Sequence, residues 1–158
     1  YTIEAARKVG EFGRIFACEA DPLGCECTRK NAILHNLNNI EVINKAVSDR
    51  VGRTVALDIS GKLSGGVLVK GNTISSTTID FLFKEIKVDV LKITVNGHEP
   101  EVVAGATETL QNVRCVVFQS ARHKELITIL EERGFKVSRV TEDEWADNVR
   151  IVLLERSG

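Results

Sequence analysis

The chain has 158 residues, a net charge of −1, 43% hydrophobic residues and 27% charged residues, which is typical of a soluble globular domain. It contains no run rich in lysine and arginine, and its apolar runs are far shorter than the ~18 residues that cross a membrane. No signal-peptide pattern opens the chain. We therefore expect a single domain over residues 1–158, in the cytoplasm, without a nucleic-acid or membrane partner.

The predicted strands and helices alternate along the chain. The strands fall at residues 14–19, 41–47, 54–59, 66–70, 90–95, 113–118, 135–140 and 149–154. The helices fall at residues 21–36, 79–86, 100–110 and 124–133, with Asp21, Pro22 and the capping run Ser76, Thr77 and Thr78 as start signals and Gly134 as a stop signal.

Three local features refine this pattern. The helix after Asp21 is expected to bury Ala32, Ile33 and Leu37. Strands 54–59 and 66–70 form a predicted hairpin across a turn at residues 60–66. The last two strands have no helix between them, only an acidic loop at 141–147 that contains Trp145, so they should pair antiparallel.

This alternation predicts an α/β fold with a doubly wound, mostly parallel sheet and an antiparallel pair of C-terminal strands. Ligands of such sheets bind beyond the carboxyl ends of the strands. The residues to inspect are therefore 19–21, 46–49, 94–99 and 119–123.

The four cysteines do not follow the spacing of a metal site. Cys18 and Cys115 lie in apolar strand-like runs, where a thiol usually packs as a small hydrophobic group. Cys25 and Cys27 are separated by one residue, which is not the spacing of a zinc site, and no second pair follows. We expect reduced, structural thiols and no metal.

Glu19 is the first candidate for a binding residue, because it ends a predicted strand. A carboxylate in this position can accept hydrogen bonds from the hydroxyl groups of a ribose, as nucleoside cofactors require. The alternative is an acid that is simply solvated at the end of a strand.

Five phrases, in this order, resemble the FkbM family of S-adenosylmethionine-dependent methyltransferases. They are GRIFACEADP, HNLNNIEVINKAVSDRVG, ISSTTIDFL, VDVLKITVNGHEPEVVAGATETL and RGFKVSRV. The resemblance implies a Rossmann-like methyltransferase fold with S-adenosyl-L-methionine as cofactor. It also implies that Glu19 holds the cofactor ribose, that Ala20 lies against the cofactor, and that Ala46 and Val47 flank the adenine. For Ala46 and Val47, an ordinary place in the core of the strand is an equal alternative, and Asp49 is a further polar contact.

The chain departs from the family pattern at its start. The family's glycine-rich loop after the central strand is absent, and residues 1–6 match the helix that follows this loop, with Gly10 ending that helix. A sheet without its central strand would leave two edges with unpaired backbone groups. We therefore expect the domain to be N-terminally incomplete, and an exposed sheet edge would also allow homo-oligomers to form.

A second departure concerns the candidate catalytic residues Thr94, Asn96 and Glu99. The resemblance places acids where Thr94 and Asn96 stand, and neither side chain can act as a base near neutral pH. Both can still orient an acceptor, and Glu99 does match the family. His98 has the intrinsic pKa of a general base, although a histidine here can equally be a surface or capping residue.

Three functions follow from these observations. The first is methyl transfer to an oxygen of a small molecule or glycan, which depends mainly on proximity and orientation. The second is a catalytically degenerate member of the family that binds a nucleoside-like ligand or a protein. The third is a nicotinamide-dependent oxidoreductase, which the strand and turn phrases do not favour.

Overall fold

In the computed structural model, the chain forms an α/β fold built on ten strands and five helices among the described residues. The structure describes residues 1–58, 67–70, 74–142 and 149–157. The predicted turn at 60–66 and Trp145 with most of its acidic loop lie outside these residues. No helix within the described ranges is long and apolar enough to span a membrane.

The strands are β1 (Ile15–Glu19), β2 (Ile40–Asn44), β3 (Ala46–Val47), β4 (Thr54–Asp58), β5 (Val67–Lys70), β6 (Ile74–Thr77), β7 (Val90–Ile93), β8 (Cys115–Ser120), β9 (Phe135–Glu142) and β10 (Arg150–Arg156). The helices are α1 (Thr2–Val9), α2 (Pro22–Leu34), α3 (Ile79–Phe83), α4 (Glu99–Ala104) and α5 (His123–Glu131). A short 3-10 helix, Thr109–Gln111, follows α4.

The strands pair in three groups. β1 pairs parallel with β2, and β3 pairs parallel with β6, which also pairs antiparallel with β4. β7 pairs parallel with β8, and β10 lies antiparallel between β8 and β9. The predicted C-terminal antiparallel pair and the predicted hairpin of β4 and β5 are both confirmed.

The hydrophobic core lies around the sheet of β7, β8 and β10, because alternate residues of β8 point to opposite faces and Val116 and Phe118 are fully buried. The largest fully buried hydrophobic side chains are Phe118, Phe135, Ile93, Leu110, Leu126, Leu130, Leu154, Val103, Val113, Val116 and Val152. This core fixes the carboxyl ends of β7 and β8, from which candidate site residues extend.

Helix α2 begins as predicted but packs differently. Asp21 is its N-cap, with Oδ1 accepting from the amide of Leu23 at 3.0 Å, and Pro22 is its first residue. Cys25 and Ala32 are buried, and their spacing of seven residues puts them on one helix face. The expected burial of Ile33 is wrong, because Ile33 lies on the adjoining face and is 76% exposed.

Two predicted elements are divided in the structure. The predicted strand 41–47 is interrupted at Lys45, after which Ala46–Val47 leaves β2 and pairs with β6. The predicted helix 100–110 ends at Ala104. Gly105 then brings the backbone so close to the carbonyl oxygen of Ser48 that an added Cβ would clash with it.

The segment before α3 also differs from the prediction. Ser76 and Thr77 read as capping residues in the sequence, but they are buried in β6. Thr78 alone caps α3, since its hydroxyl accepts from the amide of Phe81 at 3.1 Å. The β-branched and small residues of β6 therefore serve the sheet rather than the helix.

Candidate functional site

The Glu19 carboxylate lies at the carboxyl end of β1, where its position is fixed by neighbouring groups. Oε1 of Glu19 accepts a hydrogen bond from the backbone amide of Asp21 at 2.9 Å. The side-chain amide Nδ2 of Asn44, at the end of β2, donates to the carbonyl oxygens of Glu19 and Ala20 at 2.9 and 3.0 Å. The thiol of Cys25 donates to the Glu19 carbonyl at 3.3 Å.

These contacts leave Glu19 with unused acceptor capacity. A carboxylate has about four lone-pair sites, and among the described residues one backbone amide occupies one of them. Glu19 is partly buried rather than fully solvated. Its carboxylate therefore suits a ligand with two adjacent hydroxyl groups.

Ala46 and Val47 form β3 and are 1% and 9% exposed. Val47 belongs to the main hydrophobic core. Their burial agrees with the place in the core that the sequence left open, and whether they also flank an adenine stays a prediction.

A chain of polar contacts follows β3. The Ser48 hydroxyl donates to Oδ1 of Asp49 at 3.0 Å and lies 3.0 Å from Nε2 of His98. On the other side of the ring, Nδ1 of His98 lies 3.6 Å from Oε2 of Glu101. This chain ties the end of β3 to the beginning of α4.

Asp49 carries its negative charge readily. Burial raises the pKa of the Asp49 carboxyl, but the hydrogen bond from Ser48 and the nearby Arg53 guanidinium outweigh this effect and leave the pKa below its usual value. Arg53 donates to the same Oδ1 at 3.1 Å. A charged acceptor therefore lies beside the end of β3.

Glu99 is the most deeply buried of the candidate catalytic residues, with no exposed surface. Its carboxylate accepts from the amides of Val95 and Gly97, at 3.1 and 3.0 Å, and from the Ser120 hydroxyl at 2.9 Å. The turn wrapped around it places Asn96 at φ 52° and Gly97 at φ 97°. In this structure Glu99 holds the turn after β7 and joins it to the end of β8.

Thr94 and Asn96 are both exposed just beyond β7, rather than turned into the core. Thr94 accepts a hydrogen bond from the ammonium group of Lys92. That ammonium group also lies 3.9 Å from the centre of the Tyr1 ring, and burial lowers the pKa of Lys92. Both candidate residues are thus accessible to an acceptor, and their roles stay predictions.

The structure brings the predicted residues together in two groups. Glu19 and Ala20 lie at the end of β1, which pairs with β2, whereas Thr94, Asn96 and Glu99 follow β7, which pairs with β8. Among the described residues, no strand lies between β1 and β7. Each strand therefore has an edge without a strand partner within the described ranges.

The sequence predicted no role for Ser48, Ser120, Asn44 and Gly24. Ser48 lies against His98, Ser120 bonds to Glu99 and Asn44 bonds to the Glu19 carbonyl. Gly24 lies beside the Glu19 side chain. The rule that ligands bind beyond strand ends did place Ser48 and Ser120 among the residues to inspect. No sequence signal identifies Asn44 or Gly24, because their contacts depend on the register of β1 against β2 and on the path of α2.

Comparison with known proteins gives a consistent result. The Methyltransferase FkbM domain matches residues 1–137. Over 42 residues, the chain is 45% identical to a protein of Sulfolobus acidocaldarius named "Probable cobalt-precorrin-6B C(15)-methyltransferase (decarboxylating)", a match that covers 27% of this chain and 22% of that protein.

Two solved structures share the fold. A methyltransferase FkbM from Methylobacillus flagellatus aligns with a TM-score of 0.64 and 14% identity, covering 98% of this chain and 41% of that one. A Streptococcus pneumoniae protein named "a putative tRNA (m1A22) methyltransferase", solved in complex with S-adenosyl-L-methionine, aligns with a TM-score of 0.64 and 18% identity. That match covers 99% of this chain and 60% of the other, so the chain spans less than two thirds of either structure. The Rossmann-like methyltransferase fold expected from the sequence is confirmed.

Proposed function

This chain belongs to the FkbM methyltransferase family, and we propose that its protein transfers a methyl group from S-adenosyl-L-methionine to a hydroxyl group of a small molecule or glycan. The observation that carries this proposal is the Glu19 carboxylate, which is fixed at a strand end and keeps free acceptor sites toward the part of the chain that the structure describes. Four cysteines without disulfide bonds accord with a cytoplasmic setting for the reaction.

The residues of the described chain suit a nucleoside cofactor. Glu19 would accept hydrogen bonds from the ribose hydroxyl groups, with Ala20 beside the cofactor and Ala46, Val47 and Asp49 near the adenine. S-adenosyl-L-methionine supplies an electrophilic methyl group on a positively charged sulfur. The role of the protein is then to orient the acceptor oxygen toward this group, which by itself accelerates a reaction strongly.

The turn after β7 is the proposed place for the acceptor. Thr94 and Asn96 are exposed there, and Glu99 holds the turn through two backbone amides and Ser120. Thr94 can offer a hydroxyl group and Asn96 an amide, so both can bind an acceptor hydroxyl without taking its proton. A net charge of −1 gives no support to a nucleic-acid acceptor.

We further propose that an extended segment pairs with the free edges of β1 and β7. These edges belong to the two strands that carry Glu19 and Lys92. Unpaired backbone groups at a sheet edge favour the addition of a strand. Such a segment would join the two groups of site residues in one continuous sheet.

Titration calorimetry with S-adenosyl-L-methionine and the full-length protein tests the proposal. We expect binding in the unsubstituted protein and a loss of about 1–3 kcal/mol in Glu19→Gln, because one charge-assisted interaction is removed. Glu26→Gln, an exposed substitution on the outer surface of α2, is the control and should bind as the unsubstituted protein does. An unchanged dissociation constant for Glu19→Gln would remove Glu19 from the site.

A second function is favoured by one observation. Both acids that the family pattern places after β7 are replaced by neutral residues, and the remaining acid, Glu99, is buried and bonded to the turn. A protein of this kind could bind the cofactor without transferring its methyl group. Binding without turnover, across a panel of small-molecule and glycan acceptors, would support this alternative.

A further inference from the structure

Gly24 occupies the first turn of α2, three residues after the N-cap Asp21. A glycine inside a helix is less favourable than an alanine, because it loses more backbone freedom on folding. Gly24 is not among the glycines with positive φ, so its backbone conformation does not require glycine. The reason for a glycine here must be space.

The space next to Gly24 is occupied by the side chain of Glu19. A Cβ added to Gly24 would lie 2.9 Å from Cγ, 3.1 Å from Cδ and 3.3 Å from Oε2 of Glu19. Carbon atoms in ordinary contact are separated by roughly 3.5–4.0 Å, so these distances are too short. Since Oε1 is held by the amide of Asp21, the carboxylate is confined between that amide and Gly24.

We propose that Gly24 is a positioning residue, which sets the place of the Glu19 carboxylate and thereby the affinity for the cofactor ribose. This inference rests on the proposed function, in which Glu19 accepts the ribose hydroxyl groups. The three atoms nearest to a methyl group at position 24 all belong to the flexible Glu19 side chain, so we expect this side chain to move and the fold to tolerate the change. The displaced carboxylate would leave the amide of Asp21 and the position that the ligand requires.

The variant Gly24→Ala separates this role from a purely structural one. Because alanine is the better helix former, thermal unfolding of Gly24→Ala should occur at the same or a higher temperature. Titration with S-adenosyl-L-methionine should nevertheless show a dissociation constant raised by about 10- to 100-fold, as when one hydrogen bond to a charged group is lost. Cys27→Ala, an exposed change on the same helix, is the matched control and should leave affinity unchanged.

A double-mutant cycle identifies Glu19 as the group through which Gly24 acts. In a Glu19→Ala background the atoms that meet the new methyl group are gone, so adding Gly24→Ala should cause no further loss of affinity. An equal loss in both backgrounds would overturn the inference, and so would unchanged binding by Gly24→Ala alone. Absence of binding by the unsubstituted protein would instead overturn the proposed function and this inference with it.

Discussion

The hydroxyl oxygen of Ser48 lies 3.0 Å from Nε2 of His98, joining two residues that are 50 positions apart in the chain. Ser48 is 2% exposed, so the serine side of this contact is buried, whereas the His98 side chain is partly exposed. It links the end of β3, where an adenine is expected, to the turn that carries Asn96 and Glu99. The contact therefore connects the strand end proposed for the adenine to the turn proposed for the acceptor.

We expect Ser48→Ala and His98→Ala to be energetically coupled. Urea unfolding of the natural protein, the two single variants and the double variant gives a double-mutant cycle. We expect a coupling energy of about 0.5–1.5 kcal/mol, the usual net value of one hydrogen bond. Ser48→Ala combined with His35→Ala provides the control, because His35 is exposed and bonded to Arg7 instead. Additive effects of Ser48→Ala and His98→Ala would mean that the contact contributes nothing in solution.

Glu99→Gln should destabilise the fold by about 2–3 kcal/mol. The substitution replaces a buried acceptor oxygen with an NH₂ group, which would either face the amides of Val95 and Gly97 or leave the Ser120 hydroxyl without its acceptor. Chemical denaturation measures this loss. Glu108→Gln, at an exposed position, should change stability by less than about 0.5 kcal/mol. If both variants unfold alike, the carboxylate of Glu99 does not hold the turn.

The position of Glu99 could be predicted from the sequence, but its burial could not. The family phrase identified the position, and the strand-end rule placed it beyond β7. Its burial could not be predicted, because it depends on Ser120, 21 residues away, and on the left-handed turn at Asn96 and Gly97. A pattern of residue types records neither a long-range contact nor a backbone angle.

The order and type of most elements were predictable, since apolar periodicity reports local structure directly. The end of α4 was not. Residues 100–110 have the pattern of one helix, but the backbone at Gly105 must pass against Ser48. The tertiary contact ends the helix there. The helix propensity of residues 106–110 depends on local sequence alone, so it could not predict this end.

Gly105→Ala should therefore destabilise the protein by about 1–3 kcal/mol, as overpacking does in a rigid core. Its Cβ would meet the carbonyl oxygen of Ser48, a backbone atom that cannot rotate away. Gly24→Ala is a suitable comparison, because the three atoms nearest to its Cβ belong to the Glu19 side chain. Thermal unfolding should separate the two variants, and equal melting temperatures would contradict the close approach at Gly105.

The cysteines should differ in reactivity. Burial, and secondarily the proximity of Cys25, raise the pKa of Cys18 to about 11, and burial also raises the pKa of Cys25. Because the thiolate is the reactive form, iodoacetamide at pH 8.5 should alkylate the exposed Cys27 well before Cys18 or Cys25. Peptide mass spectrometry of timed samples measures the order. Labelling of Cys18 at the rate of Cys27 would show that β1 is open to solvent.

The same shift has a consequence for stability. The usual pKa of a cysteine is about 8.5, whereas burial raises the pKa of Cys18 in the folded protein to about 11. The stability contributed by the protonated thiol is therefore complete below the unfolded pKa and is lost as pH rises toward the folded value. Cys18→Ser should weaken this alkaline dependence in urea unfolding measured at successive pH values, whereas Cys27→Ser should not.

Thr94 and Asn96 are the two neutral residues where the family pattern places acids. Both are exposed beyond β7, so the double variant Thr94→Asp/Asn96→Glu introduces two carboxylates without burying them. If the natural protein orients its acceptor through these side chains, methyl transfer should be measurable without the substitutions. Asn96→Ala should then lower the rate by about tenfold or more, since orientation is lost.

The outcome of the restored acids decides between enzyme and degenerate binder. Methyl transfer that appears only in Thr94→Asp/Asn96→Glu, with S-adenosyl-L-methionine binding unchanged, would identify the natural protein as a binder without turnover. Thr107→Asp/Gln111→Glu is the control, because it adds the same charges at exposed positions beyond α4. Robust transfer by the natural sequence, reduced in Asn96→Ala but not in the control, would make Asn96 a working orienting group. Equal rates in the natural protein and Asn96→Ala would exclude that role.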